Sequence, residues 1–277
     1  SYPGDMIAFK GKAYLYAHFQ NTQALWSVQK NDTPVNTNLI PDRPYLGHAS
    51  NNTYWHTAVD GGKLFFSISD NSNNKKLGIY DGSNPVYIAD AGGSTNYLTP
   101  EFITPLNGII YFKGSINNSC ELFSYDPVTD KVAKHSNFDT IYIDNIWNLT
   151  AFNGKLYFYA AASGTDYELY EYTPGNAAPV LIADINPGAA GSMPNSLCAY
   201  KGKLYFSATT ATHGRELYCY DGINPPRMIA DLNPGTAVGC HAWQRHGIIG
   251  YKNNIYFRGD DGNTGSELLK YDIAART

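Results

Sequence analysis

A short phrase recurs along this chain at nearly even intervals. It reads ELFSYDP at 121–127, ELYEYTPG at 168–175 and RELYCYDG at 215–222. Its leucine falls at Leu25, Leu77, Leu122, Leu169, Leu217 and Leu268, spaced 45 to 52 residues apart. A tight turn followed by an apolar-aromatic run keeps the same beat: KGKAYLY from Lys10, GGKLFFS from Gly61, NGIIYFK from Asn107, NGKLYFY from Asn153, KGKLYFS from Lys201 and KNNIYFR from Lys252. The turn marker stands at Gly11, Gly62, Gly108, Gly154, Gly202 and Asn253, at intervals of 46 to 51. A fixed period of this length means that one supersecondary unit is written six times.

Residues 196–232 show what the unit is. Four short runs, SLCAYKG, KLYFSATT, RELYCYD and PRMIADL, are joined by segments rich in Gly, Pro, Asn and Asp. Those residues supply the positive or fixed φ that tight turns require, so the unit reads as a four-stranded antiparallel meander. Side chains alternate along a strand, which sends Leu217 and Cys219 to one face and Glu216, Tyr218 and Tyr220 to the other. Both faces carry apolar bulk, so each sheet must be sandwiched between neighbours. Four strands in a period of 40 to 50 residues match a propeller blade, whereas leucine-rich and β-helical stacks use shorter units. The expected fold is all-β: a six-bladed β-propeller of four-stranded antiparallel blades in one domain, 1–277. Its repeat units are roughly 1–47, 48–93, 94–139, 140–188, 189–235 and 236–277.

The units resemble the Glu-Leu-Trp-x-x-Asp-Gly-Thr repeats of bacterial secreted and surface proteins. RELYCYDG at 215–222, KLGIYDG at 76–82 and ALWSVQK at 24–30 match part of that phrase, and ADINPG at 183–188 and ADLNPG at 230–235 match the loop that follows it. Tyr170 and Tyr218 replace the tryptophan, and the final Thr is absent wherever Asp-Gly survives. The resemblance implies an extracellular propeller of the kind carried on larger surface proteins, and it implies no particular activity.

Composition narrows the partners. A net charge of −4 and a pI near 5.9 give no basic field for nucleic acid. No run of 18 apolar residues exists, so membrane insertion by a helix is not expected, and the opening SYPGDMIAFKGK has neither part of a signal peptide, which fits a soluble mature sequence. The four cysteines, Cys120, Cys198, Cys219 and Cys240, are at least 21 residues apart, which rules out zinc-ribbon spacing and leaves room for at most one opportunistic disulfide. Sequons at Asn31, Asn51, Asn117 and Asn148 read as exposed loops.

In a repeat protein the recurring residues hold the fold, and a site is expected where equivalent positions differ. Seven residues before each turn marker stand Gly4, Trp55, Glu101, Trp147, Asn195 and His246; one step later come Asp5, His56, Phe102, Asn148, Ser196 and Gly247. These are read as a loop entering the innermost strand and ringing a central opening. GCHAWQRHG at 239–247 adds Trp243 and Arg245. Aromatic faces beside amides and a guanidinium suit the C–H faces and hydroxyls of sugars. The candidate ligand-binding residues are therefore Trp55, His56, Glu101, Trp147, Asn195, Trp243, Arg245 and His246.

Catalysis finds little support. Glu121, Glu168, Glu216 and Glu267 recur at equivalent positions, whereas an acid–base pair needs two carboxylates in different environments, so these are expected to bond a neighbouring turn. No G-x-S-x-G or H-E-x-x-H is present. No metal or cofactor is expected, with calcium at Asp260, Asp261, Asn263 and Glu267 as the one alternative. The sequence thus predicts a noncatalytic, secreted or cell-surface binding module for a glycan or surface protein. Alternatives are a structural module that engages a protein or oligomerises, and a metal-dependent propeller hydrolase or lactonase.

Overall fold

The computed structural model describes residues 6–19, 22–29, 35–36, 57–69, 75–83, 87–88, 100–116, 119–135, 142–161, 164–188, 190–242 and 247–274. Among these, every regular element longer than one turn is a strand, and the strands form six separate antiparallel sheets.

The first sheet holds β1 (Met6–Phe9), β2 (Lys12–Phe19), β3 (Thr22–Val28) and β4 (Val35–Asn36); the second holds β5 (Thr57–Asp60), β6 (Lys63–Ser69), β7 (Lys75–Tyr80) and β8 (Tyr87–Ile88). The third holds β9 (Glu101–Leu106), β10 (Ile109–Ile116), β11 (Ser119–Asp126) and β12 (Lys131–His135). The fourth holds β13 (Tyr142–Phe152), β14 (Lys155–Ala161), β15 (Tyr167–Tyr172) and β16 (Val180–Ala183). The fifth holds β17 (Asn195–Tyr200), β18 (Lys203–Thr210), β19 (Gly214–Tyr220) and β20 (Arg227–Ala230). The sixth has three described strands, β21 (Ile248–Tyr251), β22 (Asn254–Asp260) and β23 (Ser266–Asp272). Every sheet is a sequential meander, each strand pairing with the one before it.

The first hairpin of each sheet explains the recurring turn. In five of them both central residues have positive φ: Lys10 and Gly11, Gly61 and Gly62, Asn107 and Gly108, Asn153 and Gly154, Lys201 and Gly202. Positive φ at both positions matches the twist of the flanking strands, and Gly or Asn adopts it most cheaply. In the sixth hairpin Lys252 has positive φ beside Asn253.

The chain packs into two compact units, Ser1–His135 and Ser136–Thr277, with three sheets in each. Within each unit the first strands of successive sheets are neighbours: β1, β5 and β9 in one, β13, β17 and β21 in the other. Sheets stack face to face. In the first unit Phe65, Leu77 and Ile79 of the second sheet meet Ile103, Ile110, Phe112 and Phe123 of the third. In the second unit Phe152, Tyr157 and Leu169 of the fourth sheet meet Leu204, Phe206, Tyr218 and Tyr220 of the fifth. The fifth sheet's other face, with Tyr205, Leu217 and Cys219, meets Ile248, Ile255 and Phe257 of the sixth. The alternation along RELYCYD is thus realised, each face serving a different neighbour.

The recurring leucine is the centre of this packing. Leu77, Leu122, Leu169 and Leu217 are all fully buried, each contributing roughly 1.5–3 kcal/mol. Leu268, at the same place in β23, is 76% exposed, and Ile249 and Tyr251 on the same face are also exposed.

Candidate functional site

Three first strands share one irregularity. Glu101 pairs with Lys113, but the next pairing is Thr104 with Tyr111, so Phe102 and Ile103 oppose the single residue Phe112. The same two-against-one slip separates the pair Trp147 and Tyr159 from Thr150 and Tyr157, and the pair Asn195 and Ser207 from Cys198 and Tyr205. Each is a β-bulge. Its first residue has left-handed backbone, at φ 52° for Phe102, 58° for Asn148 and 56° for Ser196, and all three are buried. The hydroxyls of Thr104 and Thr150 donate to the bulge carbonyls of Phe102 and Asn148, at 2.8 and 3.0 Å. Local hydrogen bonding of this kind helps hold a backbone that costs roughly 1–3 kcal/mol to strain.

The bulge corrects the sequence reading in one respect: Glu101, Trp147 and Asn195 lie within strands and not in a loop. Each also faces a matching cross-strand partner. Glu101 Oε2 is 3.2 Å from Lys113 Nζ, and both side chains are largely buried. Trp147 stacks on Tyr159 with centroids 6.3 Å apart and planes 7° from parallel, and Tyr167 meets Tyr159 edge-on at 5.8 Å. All three rings of that trio are partly buried. Asn195 is 9% exposed, and its Oδ1 accepts from Asn148 Nδ2 at 3.0 Å and from Ser196 N at 2.8 Å. Ser207 Oγ donates to the Ala242 carbonyl at 2.8 Å and accepts from Arg215 Nη1 at 3.1 Å. Arg215 Nη1 also donates to the Met193 carbonyl at 3.0 Å. Burial brings its guanidinium down to about 10, which leaves it a cation at neutral pH.

Sequence reading missed the partners Lys113, Tyr159 and Ser207, together with Tyr167 and Arg215. The signal was available for the first three, which all stand five residues after the turn marker. Trp55, His56, Trp243, Arg245 and His246 lie outside the described residues, as do Asn31, Asn51 and Asn117. Asn148 is not in an exposed loop, since it is buried and its amide is hydrogen-bonded to Asn195.

Two of the four recurring glutamates, Glu168 and Glu216, fasten loops, as expected. Glu168 accepts from Ile185 N at 3.1 Å, Asn186 N at 3.3 Å, Ser192 N at 2.7 Å and Ser192 Oγ at 2.5 Å. Glu216 accepts from Leu232 N at 2.9 Å and Gly239 N at 3.1 Å. Each thus clasps the loop that carries the chain into the next sheet. A Cβ on Gly191 would meet the Tyr167 backbone at 2.0 Å, so only glycine admits that approach, and one on Gly239 would meet Glu216 Oε1 at 2.3 Å and push the carboxylate from its place. Burial raises both carboxyls above the ordinary range, Glu216 to about 7. Glu121 instead pairs with Lys134 at 2.9 Å, and Glu267 is exposed.

Among the described residues the group able to hold a metal is Asp166, Glu168 and Asp184, whose carboxylates come within 4.8 Å of one another. Asp260 and Asp261 use their carboxylates on turn amides: Asp260 Oδ1 accepts from Gly262 N, and Asp261 Oδ1 from Asn263 N and Thr264 N. Cys198, Cys219 and Cys240 are free thiols.

No family model and no curated protein matches the chain. Solved structures do. TolB from Acinetobacter baumannii is 12% identical with a TM-score of 0.54, over 97% of this chain and 62% of that one. The β-propeller domain of the Trilobed protease from Pyrococcus furiosus is 14% identical with a TM-score of 0.53, over 83% and 69%. This chain is of β-propeller fold. A puromycin-hydrolyzing peptidase from Mycobacterium tuberculosis is 11% identical with a TM-score of 0.61, over 97% of this chain and 43% of that one. The chain therefore spans less than half of that peptidase. At such identities the likeness is one of fold, which unrelated functions share.

Proposed function

We propose that this chain is a noncatalytic binding module, a six-bladed propeller, secreted or displayed at a cell surface, that recognises carbohydrate or another surface ligand in a lectin-like, adhesive role. The observation that carries the reading is the partly exposed aromatic trio of Trp147, Tyr159 and Tyr167 at a position whose counterparts are an ion pair and an amide–hydroxyl pair. Stacked rings beside polar groups suit the apolar face of a sugar. In this reading Trp147 supplies the stacking surface and Glu101 a polar contact, while Asn195 supports the rim, its carbonyl being used internally. Trp55, His56, Trp243, Arg245 and His246 belong to the proposed rim by their place in the repeat. The resemblance of the units to Glu-Leu-Trp-x-x-Asp-Gly-Thr repeats supports the surface location.

A glycan array followed by tryptophan-fluorescence titration tests the idea. A hit whose affinity falls about tenfold or more in Trp147→Ala is expected; a broad array without a hit refutes the carbohydrate reading.

The exposed face of the sixth sheet favours a second reading, a structural module that engages a protein or its own copies, because large apolar side chains on one face mark interaction surfaces. Light scattering separates the two: concentration-dependent oligomers that Leu268→Asp abolishes support assembly, and a strict monomer removes self-association.

A further inference from the structure

The fourth and fifth sheets differ sharply at one register. In the fourth, Glu171 lies across from Tyr157 and Val180. Its carboxylate takes Lys155 Nζ at 2.5 Å and the Tyr157 hydroxyl at 2.7 Å, so the lysine that opens β14 has an anion built in. The fifth sheet repeats the lysine as Lys203 and the tyrosine as Tyr205, but Cys219 replaces the glutamate and Arg227 replaces Val180. One cation with its carboxylate has become two cations around a short thiol. In place of the Glu171 side chain there is a pocket of about 230 Å³ lined by Lys203, Cys219, Asp221, Asn224, Pro225 and Arg227. Among the described residues neither Lys203 nor Arg227 has an ion-pair partner.

We propose that this pocket binds a small oxyanion, a carboxylate or a phosphate, held between Lys203 and Arg227 where the neighbouring sheet carries Glu171. Asp221 is the one acidic group in the lining. It does not replace the missing carboxylate, because its Oδ1 accepts from Ile223 N and Asn224 N and its Oδ2 from Asn224 Nδ2, each at 2.8 Å. Two cations against this one carboxylate leave the pocket a surplus of positive charge. Cys219 adds no negative charge, since burial pushes its thiol up and keeps it protonated. Arg227 offers a planar fork suited to two oxygens, and Lys203 a movable point charge. This site is separate from the aromatic trio, and neither proposal depends on the other.

The test is a titration of the intact chain with acetate, inorganic phosphate and, at matched ionic strength, chloride, read by amide chemical shifts of Cys219, Asp221 and Arg227. Saturable shifts with acetate or phosphate and none with chloride are expected, and the oxyanion that saturates identifies the class. Lys203→Met and Arg227→Gln, both on accessible side chains, should each weaken binding about tenfold. Cys219→Glu restores the neighbouring sheet's carboxylate, so it should abolish binding and raise the melting temperature. Equal shifts with chloride, failure to saturate, or unchanged affinity in both charge variants overturns the proposal. Those outcomes remain decisive even where Cys219→Glu fails to fold.

Discussion

Leu217 in β19 and Leu268 in β23 hold the same place in the repeated phrase, yet one is wholly buried and the other is 76% exposed. Leu217 is covered by Ile248, Ile255 and Phe257 of the next sheet, whereas Leu268 lies on the exposed face of the sixth sheet with Ile249 and Tyr251. Glu216 and Glu267 differ in the same way: Glu216 is buried and clasps the loop into the sixth sheet, while Glu267 stands in solvent. The phrase therefore specifies a demand and not a burial. What meets the demand is the sheet that follows, so the energetic unit is a pair of adjacent sheets.

The largest expected effect breaks the comparison directly. Leu217→Ala should cost about 2–5 kcal/mol by denaturant unfolding, through lost transfer energy and a residual cavity. Leu268→Ala should stay within about 0.5 kcal/mol, as exposed substitutions do. Equal losses would mean that the two leucines are equally covered in solution.

A pH series sharpens the glutamate contrast. The Glu216 carboxyl rises from 4.5 when unfolded to about 7 when folded, so the native state binds the proton more tightly. That contribution is complete below pH 4.5 and is lost as pH climbs through 7, a decline of about 3 kcal/mol. Glu216→Gln should flatten this decline, and Glu267→Gln should leave it intact. A pH-independent wild type would show that burial of Glu216 is relieved.

The smallest effect leaves stability untouched and reports on the same core. Cys198, Cys219 and Cys240 pack in or against the cluster around Leu217, and burial raises all three thiols, Cys240 to about 12. A thiol reagent should react slowly in native buffer and fully in denaturant. Leu217→Ala should hasten the native reaction, and Leu268→Ala should not.

Much of the fold was legible because period and alternation are written in residue type. The turn markers located the hairpins, and the two-faced reading of RELYCYD predicted which side chains each neighbour meets. Of the recurring glutamates, Glu168 and Glu216 were correctly read as loop fasteners. The bulges were not legible, because Phe102, Asn148 and Ser196 share only a backbone angle, and no side-chain type announces left-handed φ for phenylalanine. Without the slip the variable positions looked like loop residues. Their cross-strand mates required the hairpin register, which the turn spacing already contained. The exposure of Leu268 was hidden for a different reason: its phrase is the same as the buried ones.

The bulge also bears on how such a protein changes over generations. Its shape rests on main-chain angles, with a threonine hydroxyl added in the third and fourth sheets, and the variable residue and its partner are seated beside it as a pair. Glutamate with lysine, tryptophan with tyrosine, and asparagine with serine all occupy the same seat. Where the pair is partly exposed, as with tryptophan and tyrosine, two coordinated substitutions can exchange it, whereas the buried asparagine and serine are tied to Asn148, Ala242 and Arg215 and change only with them.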